Sequence, residues 1–391
     1  MNKPKISSRR KRVLIIVVGV FAILCVIAFN LKQRFLGDIP LETSPLKINF
    51  LATNDADSRP SQLTTWPWPN AKKQNSHNGV STWTKTAPDG TLLTLNEFDF
   101  GDNKNLRLEL FDQDEDDKKP WDNRVKYWPR AVGQITKQLN SQKRGQIIAC
   151  WNGLFFGYYK GEISPSGEAF HVSPVVIRKR VHAFGANHRW TFGIEYSKSG
   201  APTFSVAHLP SKAFLQRFDF AGGSAQCLVL NRQPLRLQPF PKKGEKPIKQ
   251  PVASTPQEVG HIPIFDHMKT CRASIAWSKD SRKLWVLWVK EPDSESGSAF
   301  AMRRGLPIGG GWTVPDLQRF WLSMKPQGVS TAINSDAGDV LQTTLLRTDG
   351  NYDLIPPGWA TRDYMRKTFA PSFKNAPQGG ALMYFYVRDV S

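Results

Sequence analysis

Residues Val13 to Phe29 form an unbroken apolar run of 17, preceded by Lys3, Lys5, Arg9, Arg10, Lys11 and Arg12 and followed by Lys32 and Arg34. At about 1.5 Å per residue such a run just crosses a hydrocarbon core of roughly 30 Å. It therefore takes the N-terminus out of any globule and leaves the fold to the residues beyond Arg34. The basic surplus on its N-terminal side leaves that side cytoplasmic and the rest translocated. Val26-Ile27-Ala28 offers a small-residue cleavage site, so a removable signal peptide is the alternative, although Ile27 and Phe29 make that site untidy. A twin-arginine reading of Ser8-Arg9-Arg10 is disfavoured by Arg12, which stands where that signal has an apolar residue. The expected organisation is a basic cytoplasmic tail over 1–12, a transmembrane signal anchor over 13–31, a linker over 32–80 and one domain over 81–391. The bulk of the chain is then periplasmic or extracellular.

Formal charge is +20, of which the tail supplies six without an acidic residue to offset them. The exported part still favours anionic partners such as phosphate-bearing polymers, acidic headgroups or acidic glycans. Nucleic acid is excluded as a partner: no helix-turn-helix, zinc-finger or RNA-binding signature occurs, and the compartment is wrong. Cys25 lies in the apolar run, which leaves Cys150, Cys227 and Cys271, an odd number without C-x-x-C spacing. One bridge among them stays open in an oxidising compartment, but all three adjoin apolar stretches and read first as small hydrophobes.

Pro40, Pro45, Pro60, Pro67 and Pro69 mark the expected linker. Beyond it, Leu106–Phe111 alternates as a half-buried strand and Gly145–Trp151 reads as a buried one. Hairpins are expected over Thr191–His208, turning near Ser199-Gly200, over Gln226–Leu237 at Asn231, and over Ala273–Lys290 at Lys279-Asp280-Ser281. Helices are fewer: Pro129–Leu139, a short one capped by Ser211, and Thr313–Met324, where Thr313 and Asp316 form a capping-box pair and Pro315 suits the first turn. The fold class is α+β, with mixed, mostly antiparallel sheets and a few helices in a single globular domain behind the transmembrane helix. The acidic loop from Asp112 to Asp117 lacks the glycine and closing glutamate of a calcium loop and reads as a solvated turn. Residues 234–263, with seven prolines and Lys242, Lys243, Lys246 and Lys249, read as a surface insertion; a basic lid is the alternative.

No G-x-S-x-G, H-E-x-x-H, G-x-G-x-x-G or Walker A pattern is present, and the histidines are scattered. That removes the common hydrolases, zinc enzymes and nucleotide binders. Five polar islands remain at the ends of apolar strands. They are Asn152-Gly153-Leu154-Phe155-Phe156; the pair Gly222-Gly223 before a strand; Arg272 at the head of a strand; Gly309 to Asp316, a glycine run feeding a helix N-terminus suited to an anion; and Asn334-Ser335-Asp336-Ala337-Gly338-Asp339.

Their order and spacing, N-G-x-F-F, a glycine pair, an arginine before small residues, G-x-T-x-x-[ED]-L and A-x-N-x-D-x-G, resemble the phosphodiester glycosidase family over residues 89–346. The chain departs from the family pattern in Leu154 for a glycine, Asp316 for glutamate, and Ala337 and Asp339 in the last motif. The resemblance implies a hydrolase that cleaves a sugar-1-phosphodiester, a reaction that builds positive charge on the anomeric carbon and releases a phosphate that leaves easily. It implies Asp336 as the catalytic carboxylate, Arg272 as the phosphate holder, and Asn152 and Asn334 orienting hydroxyls or water. Asp316 would hold Arg272 or serve as second carboxylate, and Thr313, Gly153, Gly222 and Gly223 would line the substrate site. No cofactor and no metal ion are called for. The alternative is a non-catalytic domain that binds anionic glycans or serves as a scaffold, favoured by Asp339, whose charge stands where a phosphate would arrive.

Overall fold

The computed structural model describes residues 19, 20, 24, 61–113, 124–126, 132–158, 168–171, 173–183, 190–208, 210–235, 237, 269–290, 310–335, 341–355 and 381–391. Its largest sheet has 12 strands, nine of them in the order β1 (Lys72–His77), β2 (Val80–Thr86), β3 (Leu92–Asp99), β16 (Lys283–Lys290), β15 (Arg272–Ser278), β17 (Val329–Asn334), β13 (Phe220–Leu230), β11 (Trp190–Tyr196) and β12 (Pro202–His208). Three short strands, β9 (Val175–Ile177), β10 (Arg180–Ala183) and β14 (Gln233–Pro234), join it through β13. A second sheet runs β19 (Tyr352–Ile355), β18 (Thr343–Leu346), β6 (Gln146–Asn152), β20 (Met383–Asp389) and β4 (Leu106–Asp112). A small third sheet contains β5 (Arg124–Lys126), β8 (Glu168–Phe170) and β7 (Gly157–Tyr158). All described pairings are antiparallel, which bears out the mostly antiparallel expectation.

Period-two alternation sorts each strand into two faces. Phe98, Phe192, Ile275, Val286 and Ile333 of the large sheet meet Leu108, Leu110, Trp151, Phe385 and Val387 of the five-stranded sheet in the main core. The other face of the large sheet packs Leu95, Val289 and Ala332 on the helix Val314–Ser323 through Leu317, Phe320 and Trp321. Cys150, Tyr384 and Tyr386 on the other face of the smaller sheet pack on the helix Val132–Ser141. The result is a sandwich of two sheets with a helix on each outer face.

Turn chemistry fixes the hairpins where the sequence puts them. Gly200 (φ 82°) closes β11–β12, Asn231 and Arg232 (φ 48° and 68°) close β13–β14, and Ser281 (φ 57°) closes β15–β16. The capping box is present: the Thr313 hydroxyl accepts from the Asp316 amide while the Asp316 carboxylate accepts from the Thr313 amide.

One expectation changes. The linker expected over 32–80 belongs to the fold from Ser61 onward: β1 pairs with β2, and Trp68 is buried against Phe320 at a ring distance of 5.4 Å. The prolines that suggested a linker flank aromatic side chains that cover a helix. Of the apolar run only Gly19, Val20 and Leu24 are described, each helical, and no helix among the described residues is long and apolar enough to cross a membrane. The acidic loop beyond Gln113 and nearly all of the proline-rich insertion lie outside the described residues.

Candidate functional site

One end of the sandwich gathers most of the polar islands. Ala273, Ile275 and Trp277 face the inter-sheet core, so Arg272 and Ser274 project to the opposite face, toward the helix Val314–Ser323. The pairings β13–β17 and β15–β17 set Asn334 directly between Gln226 and Ser274. Arg272 is buried, and its Nε donates to the Trp312 carbonyl at 2.9 Å. Trp312 in turn exchanges backbone hydrogen bonds with Thr270 (3.0 and 3.2 Å), which pins the glycine turn beside β15. Gly311 is required there: at φ 97° a Cβ would stand 2.6 Å from the Thr270 carbonyl.

Asn334 donates through Nδ2 to Gln226 Oε1, while its Oδ1 is buried without a hydrogen-bond partner among the described residues. Ser274 Oγ donates to the Ile333 carbonyl (2.6 Å) and accepts from Trp321 Nε1 (2.7 Å). Ser335 binds the Ala273 carbonyl through both its amide and its hydroxyl, each at 3.0 Å. Asp336 lies just beyond, outside the described residues, as do Ala337 to Val340.

The chain returns at Leu341, buried in the inter-sheet core, and Gln342, whose amide donates to Asn152 Oδ1 at 2.6 Å. Trp151 faces the inter-sheet core, so Asn152 faces the other way, toward the helix Val132–Ser141. Asn152 and Asn334 therefore point to the outer faces of different sheets. The described residues on either side of 336–340 are held one by each sheet: Ser335 by the Ala273 carbonyl on β15 and Gln342 by Asn152.

The glycines serve packing of the chain against itself. A Cβ on Gly222 would meet Leu154 Cδ1 at 2.3 Å, one on Gly223 would meet Ser173 Cβ at 2.2 Å, and one on Gly153 would meet the Met383 carbonyl at 2.7 Å. Leu154 thus fills the space that the resemblance reserves for a ligand beside Gly222. Asp316 is engaged as a cap. Its carboxylate accepts from Ser61 (3.2 and 2.7 Å) and Thr313 (3.0 and 2.7 Å) and pairs with Arg319 at 2.8 Å; these partners, rather than Arg272, take up its oxygens.

Sequence reasoning passed over a buried carboxylate–imidazole pair at the same end. Asp112 ends β4 opposite Met383, and its Oδ2 lies 2.9 Å from Nε2 of His171, both side chains wholly buried. His182 is close enough to feel both. Burial pushes its pKa down to about 4, and Arg180 and His171 act in the same direction while Asp112 opposes them. Asp112 read in the sequence as the first residue of a solvated acidic turn, yet it is buried at the end of β4, and its pairing with His171 escapes local pattern because β4 and the segment after β8 meet only through the fold. Cys150, Cys227 and Cys271 are buried and unbridged, and burial pushes the Cys150 and Cys227 thiols up, which fits the small-hydrophobe reading.

No family model matches the chain, and no curated protein matches it. Among solved structures it is similar to the zebrafish N-acetylglucosamine-1-phosphodiester alpha-N-acetylglucosaminidase catalytic domain auto-inhibited by its pro-peptide, with 13% identity, a TM-score of 0.46, and 84% of this chain and 87% of that chain covered. A hypothetical protein from Synechocystis aligns at 9% identity and a TM-score of 0.46, covering 82% of this chain and 64% of that one. A putative exported protein from Burkholderia pseudomallei aligns at 9% identity and a TM-score of 0.43, covering 78% and 74%. These are distant similarities of fold.

Proposed function

We propose that the chain is an extracytoplasmic hydrolase of the phosphodiester glycosidase type, tethered to a membrane by residues 13–31. Its substrate is a sugar-1-phosphodiester or a related phosphate-linked envelope or exopolysaccharide glycan. One observation carries the reading: Asn334 Oδ1 is buried and has no partner among the described residues, beside Gln226 and Ser274, on the strand that leads two residues later to Asp336. A buried carbonyl oxygen in that position accepts a hydrogen bond from a donor that arrives with a ligand, such as a sugar hydroxyl.

In this reading the Nε bond to Trp312 orients the Arg272 guanidinium so that its planar fork meets phosphate oxygens. Asp336 stabilises the positive charge that develops on the anomeric carbon or activates water. Cleavage breaks the bond between the anomeric carbon and the ester oxygen; the electron pair leaves with the phosphate and water supplies the new hydroxyl. Asn152 holds the far end of the Asp336 segment through Gln342 and so positions it without touching substrate.

The soluble domain incubated with a sugar-1-phosphodiester should release free sugar. Asp336→Asn should lower kcat by roughly 10²–10⁴-fold with an unchanged melting temperature. Arg272→Lys should raise KM by about 10-fold, because a point charge replaces the bidentate fork. Turnover unaltered by Asp336→Asn rejects the assignment. The engagement of Asp316 in capping favours the second reading, an anionic-glycan-binding scaffold, and binding without release of sugar would select it.

A further inference from the structure

The large sheet has a notch at its first edge. β1 begins at Lys72, opposite Thr84, while β2 runs on through Lys85 and Thr86, which pair with Leu93 and Leu92 of β3 and have no described strand on their other side. The turn before β1 is the cause. Pro69 and Asn70 (φ 55°) are its two central residues, closed by the Ala71 amide on the Trp68 carbonyl at 3.4 Å, and Trp68 is buried against Phe320. Packing of Trp68 on the helix Val314–Ser323 thus draws the chain off the sheet edge just before it would cover Lys85 and Thr86.

The notch is an open cleft of about 350 Å³, lined by Asn70, Lys72, Thr84, Lys85, Thr86 and Leu92. That volume falls at the small end of ligand sites. Its chemistry is one-sided: two ammonium groups, two hydroxyls and an amide, with no carboxylate in the lining. Neither Lys72 nor Lys85 forms an ion pair with a described residue, whereas Lys283 is held by Glu97 and Asp99 and Lys73 lies over the Trp83 ring. The carboxylate of Asp89, in the β2–β3 turn, accepts from the Thr91 amide at 3.0 Å and does not line the cleft. An occupant that complements this lining brings an oxyanion, which lysines hold as point charges and hydroxyls hold by hydrogen bonds.

The position of the cleft in the sheet narrows the class of anion. Lys85 stands opposite Leu93, Leu93 opposite Val289, and Val289 opposite Arg272, so one cross-strand row joins Lys85 to Arg272. Leu93 and Val289 pack with the helix Val314–Ser323, so both basic residues belong to that outer face. Three strand spacings separate them, about 14 Å. A single sugar phosphate does not span that distance, and a chain that carries a phosphate in each repeat does.

We propose that the cleft is a second phosphate site, which holds a neighbouring repeat of a phosphate-linked glycan while another repeat lies at Arg272. The identity of the polymer rests on the function proposed above, so the cleft is tested by binding and the hydrolase reading by release of sugar.

Binding to the full chain in a neutral detergent is measured by calorimetry with phosphomannan, neutral mannan, inorganic phosphate and phosphatidylglycerol micelles. Phosphomannan should bind and neutral mannan should not. Lys72→Ala combined with Lys85→Ala should weaken phosphomannan by about 10-fold or more, and Lys72→Arg combined with Lys85→Arg should keep the affinity. Lys198→Ala combined with Lys279→Ala removes the same charge from exposed turns and should change the affinity by less than about 2-fold. Equal losses in the two alanine pairs mean attraction by net charge alone and overturn the proposal. It is overturned as well by absent phosphomannan binding, by an affinity that Lys72→Ala with Lys85→Ala leaves unaltered, by neutral mannan or inorganic phosphate binding as tightly as phosphomannan, and by tighter binding to the micelles. Absence of sugar release rejects the hydrolase reading alone, because the binding comparison needs no turnover.

Discussion

The resemblance sets Asp316 beside Arg272, yet its oxygens satisfy a helix start and the incoming segment at Ser61. A cap contributes about 1 kcal/mol, and leaving the buried partners unpaired adds roughly 1–3 kcal/mol. Asp316→Ala should therefore lower unfolding free energy by about 2–4 kcal/mol in urea, with the phosphate affinity of the folded fraction unchanged. An affinity that collapses with stability intact would return Asp316 to the site.

Titration acts at the same scale. The unfolded chain takes up a proton on His182 near 6.5, whereas burial holds the native group down to about 4. Between those values the unfolded state binds more protons, so stability falls as pH drops from 6.5 to 4. Burial alone would raise the carboxyl of Asp389, but hydrogen bonds from His77, Asn103 and Ser391 outweigh it and hold the pKa at about 2 against 3.8. That contribution is complete above 3.8 and is lost as pH falls through 2. Urea midpoints measured from pH 8 to 3 should decline through the first window, and His182→Asn should flatten that decline.

Among the elements, the segment before β1 shows how composition misleads. Pro60, Pro67 and Pro69 read as a linker, yet Trp66 and Trp68 pack edge-on to each other at 5.4 Å and cover Phe320 of the helix Val314–Ser323. The Trp66 amide also donates to Ser323 Oγ at 2.8 Å. Trp68→Ala should cost about 3–5 kcal/mol, since a large buried ring leaves a cavity. A soluble fragment starting at residue 81 should fail to give cooperative unfolding, whereas one starting at residue 59 should succeed. Equal cooperativity in both would restore the linker to its full length.

On the scale of the molecule, the sheets are assembled from strands far apart in sequence. β20, near the C-terminus, inserts between β6 and β4, and β16 pairs with β3 across most of the domain. The hairpins, the strands β4 and β6, both outer helices and the capping box were legible because each is encoded by neighbours: alternation, turn residues with positive φ, and a side chain that caps its own helix. β17 and β20 pair only with strands far away in sequence, and no local partner announces them. β1–β2, β2–β3 and β18–β19 are local hairpins, turning at Gly79, Gly90 and Gly350, that the polar composition around them concealed.

The sequence by itself determined the polar islands and their order, the mostly antiparallel class and the burial of the three cysteines outside the apolar run, because these depend on residue type and local period. Only the tertiary structure decided which islands meet. Alternation sends Asn334 and Asn152 to the outer faces of different sheets, so the two side chains do not meet directly. Asp112 and His171 became partners, and Lys85 came into one row with Arg272, through pairings separated by long stretches of chain that no local pattern specifies.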